Sequence, residues 1–256
     1  SRRSFGDPMF MNQTIAAAMR QPLPVSFDAV MQFVLEHRLP FAPGTMYDYS
    51  NFGYCLLGRV IEQVSGLTYE ACVQQQVLQP CGIRRAQIGG SFSEDRLPRE
   101  VVYYDLWPGN ERTAFDGSGK TVPAPYGGTD LTLLGAAGGW VATPSDLLKL
   151  AVHINGNPAV PDILSENSIE SMVKSYEPGG VPIGWRATNG SGTWWRTGTL
   201  AGTAALVVRQ NRKICWAVLI NTSGFATKNF KEDFYQIVST ALKNENITWP
   251  DHNLFR

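Results

Sequence analysis

Apolar residues recur at three- and four-residue spacing in five stretches of the chain. In two further stretches they alternate or run together. After Ser26, a residue type that caps helices, Phe27, Val30, Met31, Val34 and Leu35 share one face, and Pro40 marks the stop. A second helix is expected after Asn51, with Cys55, Leu56, Val60, Ile61 and Val64 at helical spacing and Gly66 as terminator. Thr143-Pro144-Ser145-Asp146 supplies an N-cap, a proline at the first helical position and an acid at the third. That helix should run through Leu147, Leu150, Ala151 and Ile154 to Gly156. Ser165 starts another over Ile169, Met172 and Val173, and Phe230, Phe234, Ile237, Val238 and Ala241 predict a closing helix.

Strands gather between Gly192 and Asn221. Thr203 to Arg209 and Ile214 to Ile220 flank Gln210-Asn211-Arg212-Lys213, a turn, and so form a hairpin. The second strand is apolar on both alternating faces and needs cover on both sides. The closing helix can cover one; a helix outside this chain could cover the other. Residues 89 to 128 are rich in Gly, Pro, Asp and Ser and read as long loops with at most short elements. Residues 1–185 are therefore mainly helix and loop, and residues 186–256 antiparallel strands with a C-terminal helix. The sum is an α+β arrangement over a single domain, 1–256.

At 256 residues, 43% hydrophobic and 17% charged, the chain can bury a sizeable core. Lys plus Arg and Asp plus Glu both number 22, so no net charge recommends nucleic acid or anionic membrane as partner. The longest apolar run, Ile214 to Ile220, is far too short to span a bilayer. Cys55, Cys72, Cys81 and Cys215 contain no C-x-x-C pair; buried thiols are expected, with a Cys72–Cys81 disulfide as the competitor. His37, His153 and His252 have no metal-ligand spacing, so neither a metal nor a cofactor is expected. His37 and His153 suit helix C-termini. Trp185, Trp194 and Trp195 suit core or sheet packing. Sequons at Asn12, Asn189, Asn221 and Asn246 permit glycosylation and lean toward a secreted or extracytoplasmic setting. The start at Ser1 fits a processed or truncated product.

The chemistry lies in two triplets. Tyr49-Ser50-Asn51 sits just before a helix. A tyrosine phenol, with an ordinary pKa of about 10, is a poor base alone. Beside an ammonium group its anion becomes accessible, and it can move a serine proton. Asn51 offers a donor and an acceptor, suited to holding a lysine and a substrate amide, or could simply cap the helix. Far downstream stands Arg196-Thr197-Gly198.

The phrase FAPGTMYDYSNFGYCLLGRVIEQVSGLTYE (41–70) resembles the class C β-lactamase and penicillin-binding esterase family, the β-lactamase-related serine hydrolases. Cys81-Gly82-Ile83, Arg99 to Tyr104, Gly138 to Asp146 and Ile183-Gly184-Trp185 extend the resemblance over roughly residues 25–243. The resemblance implies a β-lactamase/transpeptidase-like fold and an S-x-x-K serine that attacks an amide, ester or lactam carbonyl to form an acyl-enzyme. It implies that Tyr49 moves the proton, that Asn51 supports the site, and that the Thr199 N–H helps to hold the oxyanion. Thr197 and Gly198 would let a small-molecule or peptide substrate lie along the strand edge. Arg196 departs from the usual Lys or His; it keeps the charge and can bind a carboxylate bidentately, but it cannot act as a base.

The nucleophile departs further. The family places it more than the 48 available residues upstream of Tyr49. The chain's one S-x-x-K string, Ser171 to Lys174, follows Tyr49 and falls on an ordinary helix. The expectation is thus a C-terminal portion whose N-terminal elements are missing, inactive alone, and able to pair with its own missing N-terminal segment or to form a homo-oligomer. The other reading is a non-catalytic binding or assembly protein that reuses the fold.

Overall fold

The computed structural model describes residues 6–105, 109–175, 180–187, 192–222 and 230–249. A single 3₁₀ turn, Pro8–Phe10, leads into helix α1 (Asn12–Met19). Helix α2 (Phe27–Leu35) begins where Ser26 Oγ accepts the Ala29 N–H at 3.2 Å. Its buried face, Phe27, Val30, Phe33 and Val34, joins Met9, Ile15, Cys55 and Leu134 in the first core cluster.

Helix α3 (Asn51–Ser65) ends on Gly66 in the left-handed conformation, as expected. Its cap differs from expectation. Ser50, in extended backbone, accepts the Gly53 N–H at 2.9 Å, so Asn51 is the first helical residue and not the cap. A serine one position earlier satisfies the helix donor and frees the Asn51 amide for other partners. One face of α3 packs on the core through Cys55 and Gly58. A second stripe, Leu57, Val60 and Val64, is exposed, Val64 by 83%.

Helix α4 (Tyr69–Val73) runs into a π-helical turn, Gln74–Leu78, which ends at buried Cys81 and Ile83. The loop region holds short strands: β1 (Gln87–Ile88) and the hairpin β2 (Glu111–Thr113) with β3 (Thr121–Pro123). After helix α5 (Leu131–Gly138), strand β4 (Trp140–Val141) pairs with β1. Helix α6 (Pro144–Val152) carries a full capping box between Thr143 and Asp146. It stops at Val152, short of Gly156, with His153 as its C-cap and His153 Nδ1 2.7 Å from the Lys149 carbonyl. Helix α7 (Glu166–Val173) is capped by Ser165, as expected.

Strands β5 (Arg186–Ala187), β6 (Trp194–Leu200), β7 (Thr203–Arg209) and β8 (Cys215–Ile220) form one antiparallel sheet in that order, followed by helix α8 (Phe230–Leu242). In register, Arg196 faces Val207 and Gly198 faces Ala205. Leu206, Val208 and Trp216 pack under Phe234, Tyr235 and Val238 of α8. The other sheet face is not left to a helix outside the chain. Val207 joins Trp185, Trp194, Ile154 and Ile169 in a cluster that also takes Leu150 of α6 and Met172 and Val173 of α7, and α6 lies against β7 and β8. Trp185 and Trp194 are therefore core residues.

All four cysteines are free, so the Cys72–Cys81 disulfide does not form; Cys55 and Cys81 are buried as expected, whereas Cys72 and Cys215 are only half-buried. Asn12 is buried within α1 and unsuited to carry a glycan; Asn189 lies outside the described residues. No described helix is long and apolar enough to cross a membrane.

Candidate active site

The site starts from the loop that enters α3. Because Ser50 takes the cap, the residues on either side of it turn to the same partner set. The Tyr49 hydroxyl donates to Asn51 Oδ1 at 2.7 Å. Asn51 Nδ2 donates to Asp7 Oδ2, also at 2.7 Å. The second Asp7 oxygen accepts the Met9 N–H at 3.1 Å and caps the short 3₁₀ turn. Met9 is fixed in the core with 1% exposure, so the chain Tyr49–Asn51–Asp7 ends on an anchored carboxylate.

The second wall is strand β6. The Arg196 guanidinium carbon stands 5.9 Å from the Tyr49 ring centroid, within cation–π range. Beyond Arg196, residues Thr197, Gly198 and Thr199 are exposed. β5 pairs with β6 only at Trp194 and Trp195, so from Arg196 onward the outer edge of β6 has no strand beside it among the described residues. Backbone groups that alternate outward along such an edge can take an extended ligand.

The far end of β6 is fixed by close packing. Leu200 packs on the first core cluster. At Gly202, with φ of 75°, a Cβ would stand 2.8 Å from Pro125 Cγ and Tyr103 Cβ, so only glycine fits the turn. Tyr103 is itself held: its hydroxyl donates to Glu100 Oε1 and its N–H donates to the Tyr126 hydroxyl, both at 2.7 Å. The Arg99 to Tyr104 segment thus straps the hairpin in place. Asn221 Nδ2 donates to the Val102 carbonyl and Tyr104 N–H to the Asn221 carbonyl, which ties the strap to the end of β8.

Partial burial pushes the Tyr49 phenol above its ordinary pKa, while Arg196 opposes the rise. Asp7, Tyr54 and Tyr47 push it further up. The hydroxyl is a donor here, and the cation beside it is a guanidinium. The site is open: Tyr49 is 43% exposed. A separate cleft of about 470 Å³ is lined by Met9 to Thr14, by β2 and by Phe115, and not by Tyr49 or Arg196.

Tyr49, Asn51 and Arg196 therefore come together, and Thr197, Gly198 and Thr199 continue the same edge. Ser171 lies on the exposed surface of α7 and donates to the Asn167 carbonyl at 2.8 Å, an ordinary back-bond within a helix. Asp7 is the site residue that sequence reasoning missed. An Asp before Pro signals a cap, but nothing in the sequence aims its carboxylate at a residue 44 positions away.

The Beta-lactamase family model matches residues 3–241. An octameric penicillin-binding protein homologue from Pyrococcus abyssi superposes with a TM-score of 0.61 at 26% identity, covering 92% of this chain and 52% of that one. The D-amino acid amidase from Ochrobactrum anthropi SV3, complexed with L-phenylalanine amide, superposes with a TM-score of 0.63 at 20% identity over 85% of this chain and 65% of that one. A 69-residue stretch is 36% identical to the "Probable fimbrial assembly protein FimD, serogroup H1" of Dichelobacter nodosus, over 27% of this chain and 16% of that protein. The chain thus spans about half to two thirds of the length of these structures and a small part of the curated relative.

Proposed function

This chain belongs to the Beta-lactamase family, and we propose that it carries the proton-transfer and substrate-binding half of a serine hydrolase that works through an acyl-enzyme. The observation that carries the reading is the convergence of Tyr49 and Asn51 with Arg196 at an open strand edge. Tyr49 is the group that moves a proton to and from the attacking serine. Asn51 holds the phenol on one side of the reacting centre. Arg196 binds a carboxylate of the substrate or its leaving group through its planar fork. Thr197 and Gly198 present the strand edge, and the Thr199 N–H is the oxyanion donor that this chain contributes. The substrate is a small molecule or peptide with an amide, ester or lactam carbonyl.

The serine and lysine come from residues outside 1–256, and the chain alone is inactive. Two observations support this. The exposed Leu57, Val60 and Val64 stripe gives α3 a second apolar face in want of cover. The structures it resembles also extend well beyond it. Self-association into a homo-oligomer is a further part of the proposal, since the Pyrococcus abyssi homologue is octameric.

Turnover of nitrocefin and p-nitrophenyl esters tests the reading. The chain alone should turn over neither, and a longer protein that includes the upstream coding sequence should turn over at least one and lose that activity in Tyr49→Phe. Turnover by the purified chain alone, lost in Tyr49→Phe, would sink the divided site. A second reading is a non-catalytic binding or assembly protein. It is favoured by the stretch similar to a fimbrial assembly protein and by the departure from the usual Lys or His at Arg196. An upstream sequence without S-x-x-K would decide for it.

A further inference from the structure

Asp7 accepts hydrogen bonds at both oxygens, from the Asn51 amide and from the Met9 N–H. An ionised carboxylate can only accept. Asn51 therefore must turn its NH₂ toward Asp7, because the reverse orientation would set the amide oxygen against the carboxylate. With the NH₂ committed, the amide oxygen faces Tyr49. An amide oxygen also only accepts, so the Tyr49 hydroxyl is left the donor's role. We infer that Asp7 is a positioning residue, which sets the Asn51 amide and through it keeps the Tyr49 hydroxyl a hydrogen-bond donor.

The inference rests on the reading of Tyr49 as the proton-moving group and adds what governs it. Asp7 is well placed for the task. Buried Pro8 and Met9 follow it directly, so its carboxylate is held by the core rather than by a mobile surface loop. The charged and titratable groups that face the phenol are Arg196 on β6, Asp7, Tyr54 on α3 and Tyr47 in the preceding loop. Arg196 favours the phenolate, whereas Asp7 opposes it twice, by its charge and by the amide it fixes. Neutralising Asp7 frees the amide to turn its NH₂ toward the phenol and to stabilise the anion.

The test reads the Tyr49 hydroxyl directly in the 256-residue chain, by NMR of tyrosine labelled with carbon-13 at the ring carbon bearing the hydroxyl. Tyr49→Phe assigns the signal. Asp7→Asn removes the charge. Asp7→Ser also removes it but keeps an oxygen that can cap the Met9 N–H. Asp7→Glu keeps the carboxylate. Tyr49 is expected to ionise at lower pH in Asp7→Asn and Asp7→Ser than in the parent, and Asp7→Glu is expected to restore the parent behaviour. A Tyr49 midpoint unchanged in folded Asp7→Asn and Asp7→Ser overturns the inference. A purely structural cap would lower the melting temperature without moving that midpoint.

Should the neutral variants not fold, the parent chain decides. The Asn51 NH₂ resonances, assigned with Asn51→Asp, must shift when acid protonates Asp7; resonances that stay still overturn the inference. None of these readouts needs turnover. A chain without a hydrolase role can still show the Asp7 effect, and an active longer protein can still fail to show it.

Discussion

Arg209 lays its guanidinium 4.0 Å from the ring centroid of Trp194, on the sheet face that α6 covers. The residue is 5% exposed. It donates to the Asn155 carbonyl at 2.9 Å and to the Gly192 carbonyl. Among the described residues no carboxylate forms an ion pair with it. A buried cation held by carbonyls and a ring is costly to disturb, because its removal strands those acceptors.

Arg209→Ala is therefore expected to destabilise the fold by about 2–4 kcal/mol. Arg209→Lys should lose nearly as much, since an ammonium cannot serve both carbonyls and stack on the ring. Urea unfolding followed by tryptophan fluorescence measures both. A loss within a few tenths of a kcal/mol for either variant would contradict this account.

Gly58 of α3 lies directly against Ala136 of α5. A Cβ there would stand 2.7 Å from the Ala136 Cβ. Gly58→Ala should cost about 1–3 kcal/mol despite alanine's better helix propensity. Ala136→Gly in the same chain should recover much of the loss, and a double-mutant cycle gives the coupling.

Burial and the Glu100 hydrogen bond push the Tyr103 phenol far above its ordinary value, and burial pushes Tyr69 up as well. In the native state these groups keep protons that the unfolded chain gives up at about pH 10. The native state then binds more protons, so stability falls as pH rises. Stability should be flat with respect to these groups below about pH 10 and decline above it. Tyr103→Phe should soften that alkaline decline, as chemical unfolding at several pH values will show.

Burial pushes the Cys55 thiol up to about 11. At pH 8 it is almost entirely protonated and also shielded by the core, 4% exposed. Thiol-specific labelling of the native protein should leave Cys55 unmodified and reach it only after denaturant is added, which mass spectrometry of labelled peptides will report.

Helices with caps and one apolar face were legible in the sequence. Ser26, Ser165 and the Thr143–Asp146 box each start the helix that they announce. The hairpin of β7 and β8 was equally plain. What failed was relation across distance. The sequence showed that β8 needs two covers, but α6 and α7 supply the second only through the tertiary packing of Ile154, Ile169 and Trp185. Ser50 and Asn51 are both good caps, and the backbone chose the former. The motifs located Tyr49, Asn51 and Arg196, yet their mutual geometry depends on the Gly202 turn and on Asp7, and no local pattern encodes either.

Strand β8 closes the sheet on one side with six uncharged residues, Cys215 to Ile220, and among the described residues no strand lies beyond it. Natural edges are usually guarded by lysines, prolines or bulges, and this one has none. The consequence is colloidal. In concentrated solution such an edge invites another copy to add itself, so the yield of dispersed protein should depend on what shields β8 during synthesis more than on the melting temperature of the fold.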